Sequence, residues 1–263
     1  MTAVRVGAVG YLNARPLTWA LDRRPEQWHV RYDVPAVCAT LLRTGQVDLG
    51  LTPSIEYLFG EDYCFVPGVG IGSDGPVASV ALYSTGPVGD IRTIALDTSS
   101  RTSVTLIKVL CRHAFRISPV FVDAPPDLRT MTAAHGAAVL IGDPALEADH
   151  ESLGLTKTDM GEAWRQMTGL PFVYAAWTGR RGAVTARDVE ALVAAQTEGL
   201  AHIDEIAAEY APADPAHQVR AARYLRDNVR YALGEAERQG LQRFLDYAAD
   251  MSLGPGRRRV TFF

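Results

Sequence analysis

Short apolar runs alternate with amphipathic stretches along the first two thirds of the chain. VRVGAVG (4–10), HVRYDV (29–34) and VDLGLTP (47–53) have the length and β-branched content of strands. Between them, ARPLTWALD (14–22) and AVCATLLRTG (36–45) repeat apolar residues at helical spacing. Pro16 is tolerated in a first turn, and Gly45 stands where a helix-ending glycine belongs. This β-α-β-α-β order predicts a mostly parallel sheet. VASVALYS (77–84) reads as the next strand and GPVGDIR (86–92) as a connector. The alternation then restarts, with strands TIALD (93–97), PVFVD (119–123), AAVLIGD (137–143) and LPFVYAAWT (170–178). SVTLIKVLCRHAF (103–115) and PDLRTMTAAHG (126–136) are helices between them. The last third is helical. Thr185 and Asp188 suit a capping box before 189–211, and amphipathic helices follow over 215–233 and 234–253.

The restart predicts an α/β fold of two lobes with mixed sheets and a ligand cleft between them. Residues 1–88 with 180–263 form the first lobe, and 89–179 form an inserted second lobe whose elements lie over 93–175. The chain crosses twice, near 86–92 and near 176–182. Clefts at domain interfaces and at the carboxyl ends of strands are where ligands usually bind.

Composition narrows the partners. The 263 residues are 48% hydrophobic and 21% charged, an ordinary soluble balance. A net charge of −4 argues against coating nucleic acid or an anionic membrane, and the basic run Arg257–Arg259 is too short to change that. No segment reaches the about 18 apolar residues of a membrane span. Cys38, Cys64 and Cys111 are too sparse for a disulfide framework or a zinc site. MTAVRVGAVGYLN puts Arg5 inside a strand-like run instead of showing the pattern of a signal peptide. The expectation is a cytoplasmic protein without membrane insertion.

The residues at strand-to-helix turns carry the candidate chemistry. Strand one ends in VGYLNARPL, where Asn13 either caps the following helix or faces a ligand, and the fork of Arg15 suits a carboxylate. Strand three ends in TPSIEY, with Ser54 and Glu56, and Ser79 lies just inside the next strand. DTSSRTS (97–103) is the sharpest stretch. Thr98, Ser99, Ser100, Thr102 and Ser103 set five hydroxyls in six positions at a helix start, where a lone cap needs one. Hydroxyls and free N–H groups at a helix N-terminus favour a carboxylate or phosphate. Asp143, before Pro144, is either a turn residue or a ligand contact. Trp164, Phe172 and Trp177 read more readily as packing than as ligand walls. Neither a Walker loop, a dinucleotide loop nor a Ser-His-Asp set emerges, and the six histidines lack metal-ligand spacing. From the residues alone this is a two-lobed cleft for a small anion, with binding and catalysis both open.

Taken in order, VGYLNARPL, VDLGLTPSIEYL, DGPVASVALYS, ALDTSSRTSVTLIKVL, VLIGDPAL and GEAWRQMTGLPFVYAAW resemble the chorismate dehydratases of the futalosine route to menaquinone. The resemblance runs from the first strand to about Trp177 and implies the type II periplasmic-binding-protein fold. It further implies conversion of chorismate to 3-[(1-carboxyvinyl)oxy]benzoate and water, without metal or organic cofactor. Two carboxylates on that substrate call for two anion partners. The hydroxyl-rich turn is one candidate and Arg15 the other, with Ser54 and Asp143 as further contacts. Asn13 and Ser79 are the expected catalytic residues, each positioned for the leaving hydroxyl or a carboxylate. The proton acceptor stays open among Asp143, Glu56 and the enolpyruvyl carboxylate of the substrate. Rival readings are an exported solute-binding protein, against which the chain start argues, and a cytosolic carboxylate sensor.

Overall fold

Strand β1 (Val4–Val9) opens the chain and α1 (Arg15–Asp22) follows a short 3₁₀ turn at Leu12–Ala14. Strand β2 (Trp28–Asp33), helix α2 (Pro35–Arg43) and strand β3 (Leu49–Pro53) complete the predicted parallel unit, with β2 and β3 both paired in parallel to β1. The computed structural model describes residues 3–263. Two strands beyond the expected set widen this first sheet. The first is β4 (Tyr63–Ser73), which shares its edges with β10 (Phe172–Arg180) and β11 (Arg230–Leu233). The order across the sheet is β11-β4-β10-β3-β1-β2. Glycines along β4 disguise it as a loop, but close approach demands them: a Cβ at Gly72 would lie 2.7 Å from the Phe172 carbonyl oxygen.

The second sheet has the order β7-β6-β8-β5-β9. Its strands are β5 (Val80–Ser84), β6 (Thr93–Asp97), β7 (Val120–Ala124), β8 (Ala137–Ile141) and β9 (Thr156–Asp159). Helix α3 (Arg101–Leu110), helix α4 (Leu128–His135), the short α5 (Gly142–Leu146) and α6 (Met160–Thr168) flank them. Strand β5 pairs antiparallel with β8, Val80 opposite Ile141, so it belongs to the second sheet and not to the first lobe. Strand β10 lies wholly in the first sheet. The sheets therefore divide the chain at 74–79 and 160–171 rather than near 86–92 and 176–182. The glycine-rich stretch at 86–92 is a loop inside the second lobe: turn composition marks a turn, not which sheet the flanking strands join.

Helices α7 (Ala186–Ala201), α8 (Ile203–Tyr210), α9 (Pro215–Asp227) and α10 (Glu235–Asp250) close the chain. The expected Thr185–Asp188 capping box opens α7. Trp164, Phe172 and Phe244 form an edge-to-face cluster that is fully buried, and Trp177 is buried in β10. All three cysteines are buried and free, and burial pushes the Cys38 and Cys111 thiols up to about 12. Among the described residues no helix is long and apolar enough to cross a membrane.

Candidate active-site cleft

The two sheets face each other across a cleft. Its walls come from the ends of β1 (Val9, Tyr11, Asn13), β3 (Pro53) and β10 (Tyr174, Ala175) on one side. From the other come Ser79 and Val80, Ser100 and Ser103 of the α3 turn, and Ile141 and Gly142 after β8. This is the carboxyl-end location expected of an open α/β sheet.

Asn13 does not cap its helix. Ala14 is the N-cap of α1, and the turn makes no side-chain cap bond. The Asn13 side chain instead lies against the hydroxyl of Tyr224, from α9. That hydroxyl donates to Ser79 Oγ at 2.7 Å. Burial pushes the Tyr224 phenol well up, and hydrogen bonding with Ser79 and Asn13 pulls it only partly back, so it remains a neutral donor. With its oxygen accepting from Tyr224, the Ser79 hydroxyl keeps its own proton to donate into the cleft. Asn13, Tyr224 and Ser79 thus form one polar cluster at the cleft.

The hydroxyl-rich turn divides its labour. Ser100 caps α3, accepting from Ser103 N–H at 3.4 Å and from Ser103 Oγ at 3.2 Å, and both serines line the cleft. They present the N-terminal end of a ten-residue helix to the ligand space. Thr102 turns the other way. Its oxygen accepts from Ile55 N–H at 3.2 Å and lies 3.3 Å from Ser54 Oγ, which itself donates to the Val173 carbonyl at 2.8 Å. Ser54 and Thr102 therefore join the lobes beneath the cleft and do not line it. Thr98 is exposed. Ser99 holds Ala36 N–H through its carbonyl at 2.9 Å, and its buried hydroxyl sits beside the Tyr11 phenol.

Asp143 also spans the lobes, its carboxylate accepting from Leu12 N–H at 2.9 Å; burial raises its pKa above the usual carboxylate range. Next to it, Gly142 has φ +65 and its Cβ would lie 2.7 Å from the Tyr11 ring, so glycine is required where the lobes touch. Arg15 lies outside the cleft, in a neighbouring depression with Trp19 and Asp22, 5.3 Å above the Tyr210 ring. Buried Glu56 pairs with Arg101 at 2.9 Å. Neither an acidic nor a basic side chain stands among the cleft-lining residues; Asp97 lies behind them, one oxygen accepting from Ser99 N–H at 2.9 Å and the other buried without a partner.

Sequence reasoning did not reach Tyr224, Tyr11 or Tyr174. Tyr224 carries the clearest retrospective signal: it stands on the buried face of α9 beside Ala221, Ala222 and Leu225, and a buried tyrosine hydroxyl needs a partner.

A family model for menaquinone biosynthesis matches residues 4–250. The chorismate dehydratase of Thermus thermophilus is 33% identical over 258 residues, covering 92% of this chain and 93% of that protein. The chain belongs to this menaquinone-biosynthesis family. Its architecture is that of the periplasmic binding proteins. The aliphatic sulphonate binding protein of Escherichia coli superposes with a TM-score of 0.69 at 19% identity, over 99% of this chain and 95% of that one. A protein from Archaeoglobus fulgidus superposes at 0.74 with 16% identity, over 96% of this chain and 98% of that one. VGYLNARPL, DGPVAS and DTSSRTS all contribute residues to the same cleft.

Proposed function

We propose that this cleft dehydrates chorismate to 3-[(1-carboxyvinyl)oxy]benzoate and water, the first step of the futalosine route to menaquinone. The family relationship and the Thermus thermophilus enzyme's activity support the substrate. The observation that carries the mechanism is a cleft lined by neutral polar groups and apolar walls. The N-terminus of α3, with Ser100 and Ser103, receives one carboxylate through fixed dipoles and hydroxyls. Asn13 and Ser79, aligned by Tyr224, hydrogen-bond the departing hydroxyl.

The reaction removes the ring proton beside the ether oxygen together with the neighbouring hydroxyl. Neither Glu56, paired with Arg101, nor Asp143 lines the cleft, so neither is placed to act as the base. The enolpyruvyl carboxylate, tethered to the carbon that loses its proton, accepts it; the proton and the leaving hydroxide depart as water. Aromatisation supplies the driving force, and the protein's task is orientation and stabilisation of the leaving group. We place the reaction in the cytoplasm, whose reducing conditions suit three free buried cysteines. The purified protein is incubated with chorismate and the products are followed by mass spectrometry. Loss of one water with formation of the aromatic ether is expected; binding without turnover would make the protein a sensor, and neither would reject the assignment.

A further inference from the structure

Ser79 is preceded by a residue in an unusual backbone state. Ala78 has φ +65, in the left-handed region that side-chain-bearing residues rarely occupy. Ser79 N–H donates back to the Val77 carbonyl at 2.8 Å, closing a three-residue turn of the strained hand. Strand β9 supplies what holds it. Asp159 accepts from Val77 N–H at 3.1 Å and from Ala78 N–H at 2.6 Å, and also caps α6 through Gly161 and Glu162 N–H. Lys157 Nζ donates to the Ala78 carbonyl at 2.7 Å. These two residues stand two apart on β9, which pairs with β5 immediately after Ser79, so one strand holds the N–H and the carbonyl on either side of the Ala78 Cα. The Ser79 carbonyl accepts from Gly142 N–H at 2.8 Å, fixing the far side.

We propose that Lys157 and Asp159 are positioning residues: their opposite charges clamp the strained Ala78 turn and thereby aim the Ser79 hydroxyl into the cleft. This rests on the dehydratase reading for its kinetic consequence, but the clamp itself is a property of the chain. Neither residue lines the cleft, so both act through Ser79. Strain of this kind persists only where the surroundings over-determine it, and it concentrates at functional sites.

The test uses Lys157→Met, which keeps an unbranched side chain one atom shorter without the charge and leaves the α6 cap intact, alone and combined with Ala78→Gly. Glycine adopts positive φ freely, so it removes the strain that the lysine opposes. Turnover of chorismate and hydrogen exchange over 74–82 are both measured. Lys157→Met is expected to exchange faster over that segment and to lose about tenfold in kcat, the consequence of one lost charge-assisted hydrogen bond, with KM within about threefold. Adding Ala78→Gly is expected to restore kcat to within about threefold of the parent. Unchanged exchange over 74–82 overturns the clamp whether or not chorismate is turned over. Faster exchange with unchanged kcat overturns the positioning role. A kcat loss that Ala78→Gly does not relieve makes the lysine a purely structural contact. Absence of turnover by the parent protein rejects the dehydratase reading, and exchange still judges the clamp.

Discussion

Tyr224→Phe removes one oxygen and leaves the packing of α9 in place. The hydroxyl it deletes donates to Ser79 at 2.7 Å, inside a wholly buried environment, and lies against Asn13. Without it the Ser79 oxygen loses its donor, and a buried polar atom left unpaired costs about 1–3 kcal/mol. Ser79 then turns its own proton toward whatever acceptor is nearest instead of toward the leaving hydroxyl. At about 1.4 kcal/mol per factor of ten, that cost corresponds to a kcat loss of roughly 5- to 150-fold if it falls on the transition state. The assay is steady-state turnover of chorismate by the parent, Tyr224→Phe, Ser79→Ala and the double variant. The coupling between the two positions is expected to reach about 1 kcal/mol or more, as for residues in one hydrogen-bond network. A Tyr224→Phe kcat within twofold of the parent, or an equal loss with and without Ser79, would refute the alignment of Ser79 by Tyr224.

Other outcomes follow from the same geometry. Asp97→Asn is expected to keep kcat within about fivefold, because the account needs no protein carboxylate as base; a loss of about a thousandfold in a folded variant would make Asp97 the base. Ser100→Ala removes the α3 cap and a cleft hydroxyl together, so thermal unfolding is expected to show a loss of about 1 kcal/mol and kinetics a raised KM. Thr102→Val strands the buried Ile55 N–H and is expected to cost about 1–3 kcal/mol in denaturant melts while leaving KM unchanged. Asp143 has a folded pKa raised mainly by burial, so its contribution to stability is present at acid pH and is lost as pH rises through the folded pKa. Melting curves of the parent and Asp143→Asn from pH 4 to 7 are therefore expected to shift in favour of the variant with rising pH; the opposite trend would contradict the burial argument.

Parts of the fold that obey local rules were legible in the chain. The alternation of β1 to β3 with α1 and α2, and of β6 to β8 with α3 and α4, follows from hydrophobic period and turn chemistry alone. Strand β4 was hidden because its glycines, set by contact with β10, lower the strand signal. Strand β11 was read into the preceding helix, since only its pairing with β4 distinguishes it. At the site, Asn13, Ser79, Ser100 and Ser103 are reachable from the rule that ligands meet strand ends. That rule does not separate Ser103 from Thr102, whose side chains diverge by one position around a helix, the latter joining the lobes. Nor does it find Tyr224, which arrives from 145 residues away in sequence to meet Ser79.

In the proposed reaction the substrate's enolpyruvyl carboxylate removes the ring proton in a cleft lined by neutral groups. A chorismate analogue in which that carboxylate is replaced by the primary amide keeps the shape and the ether linkage but loses the base. Direct binding measurement and product analysis on the parent protein are predicted to show occupancy of the site without dehydration. Formation of the aromatic ether from this analogue at a rate comparable with chorismate would contradict the account and require a base from the protein.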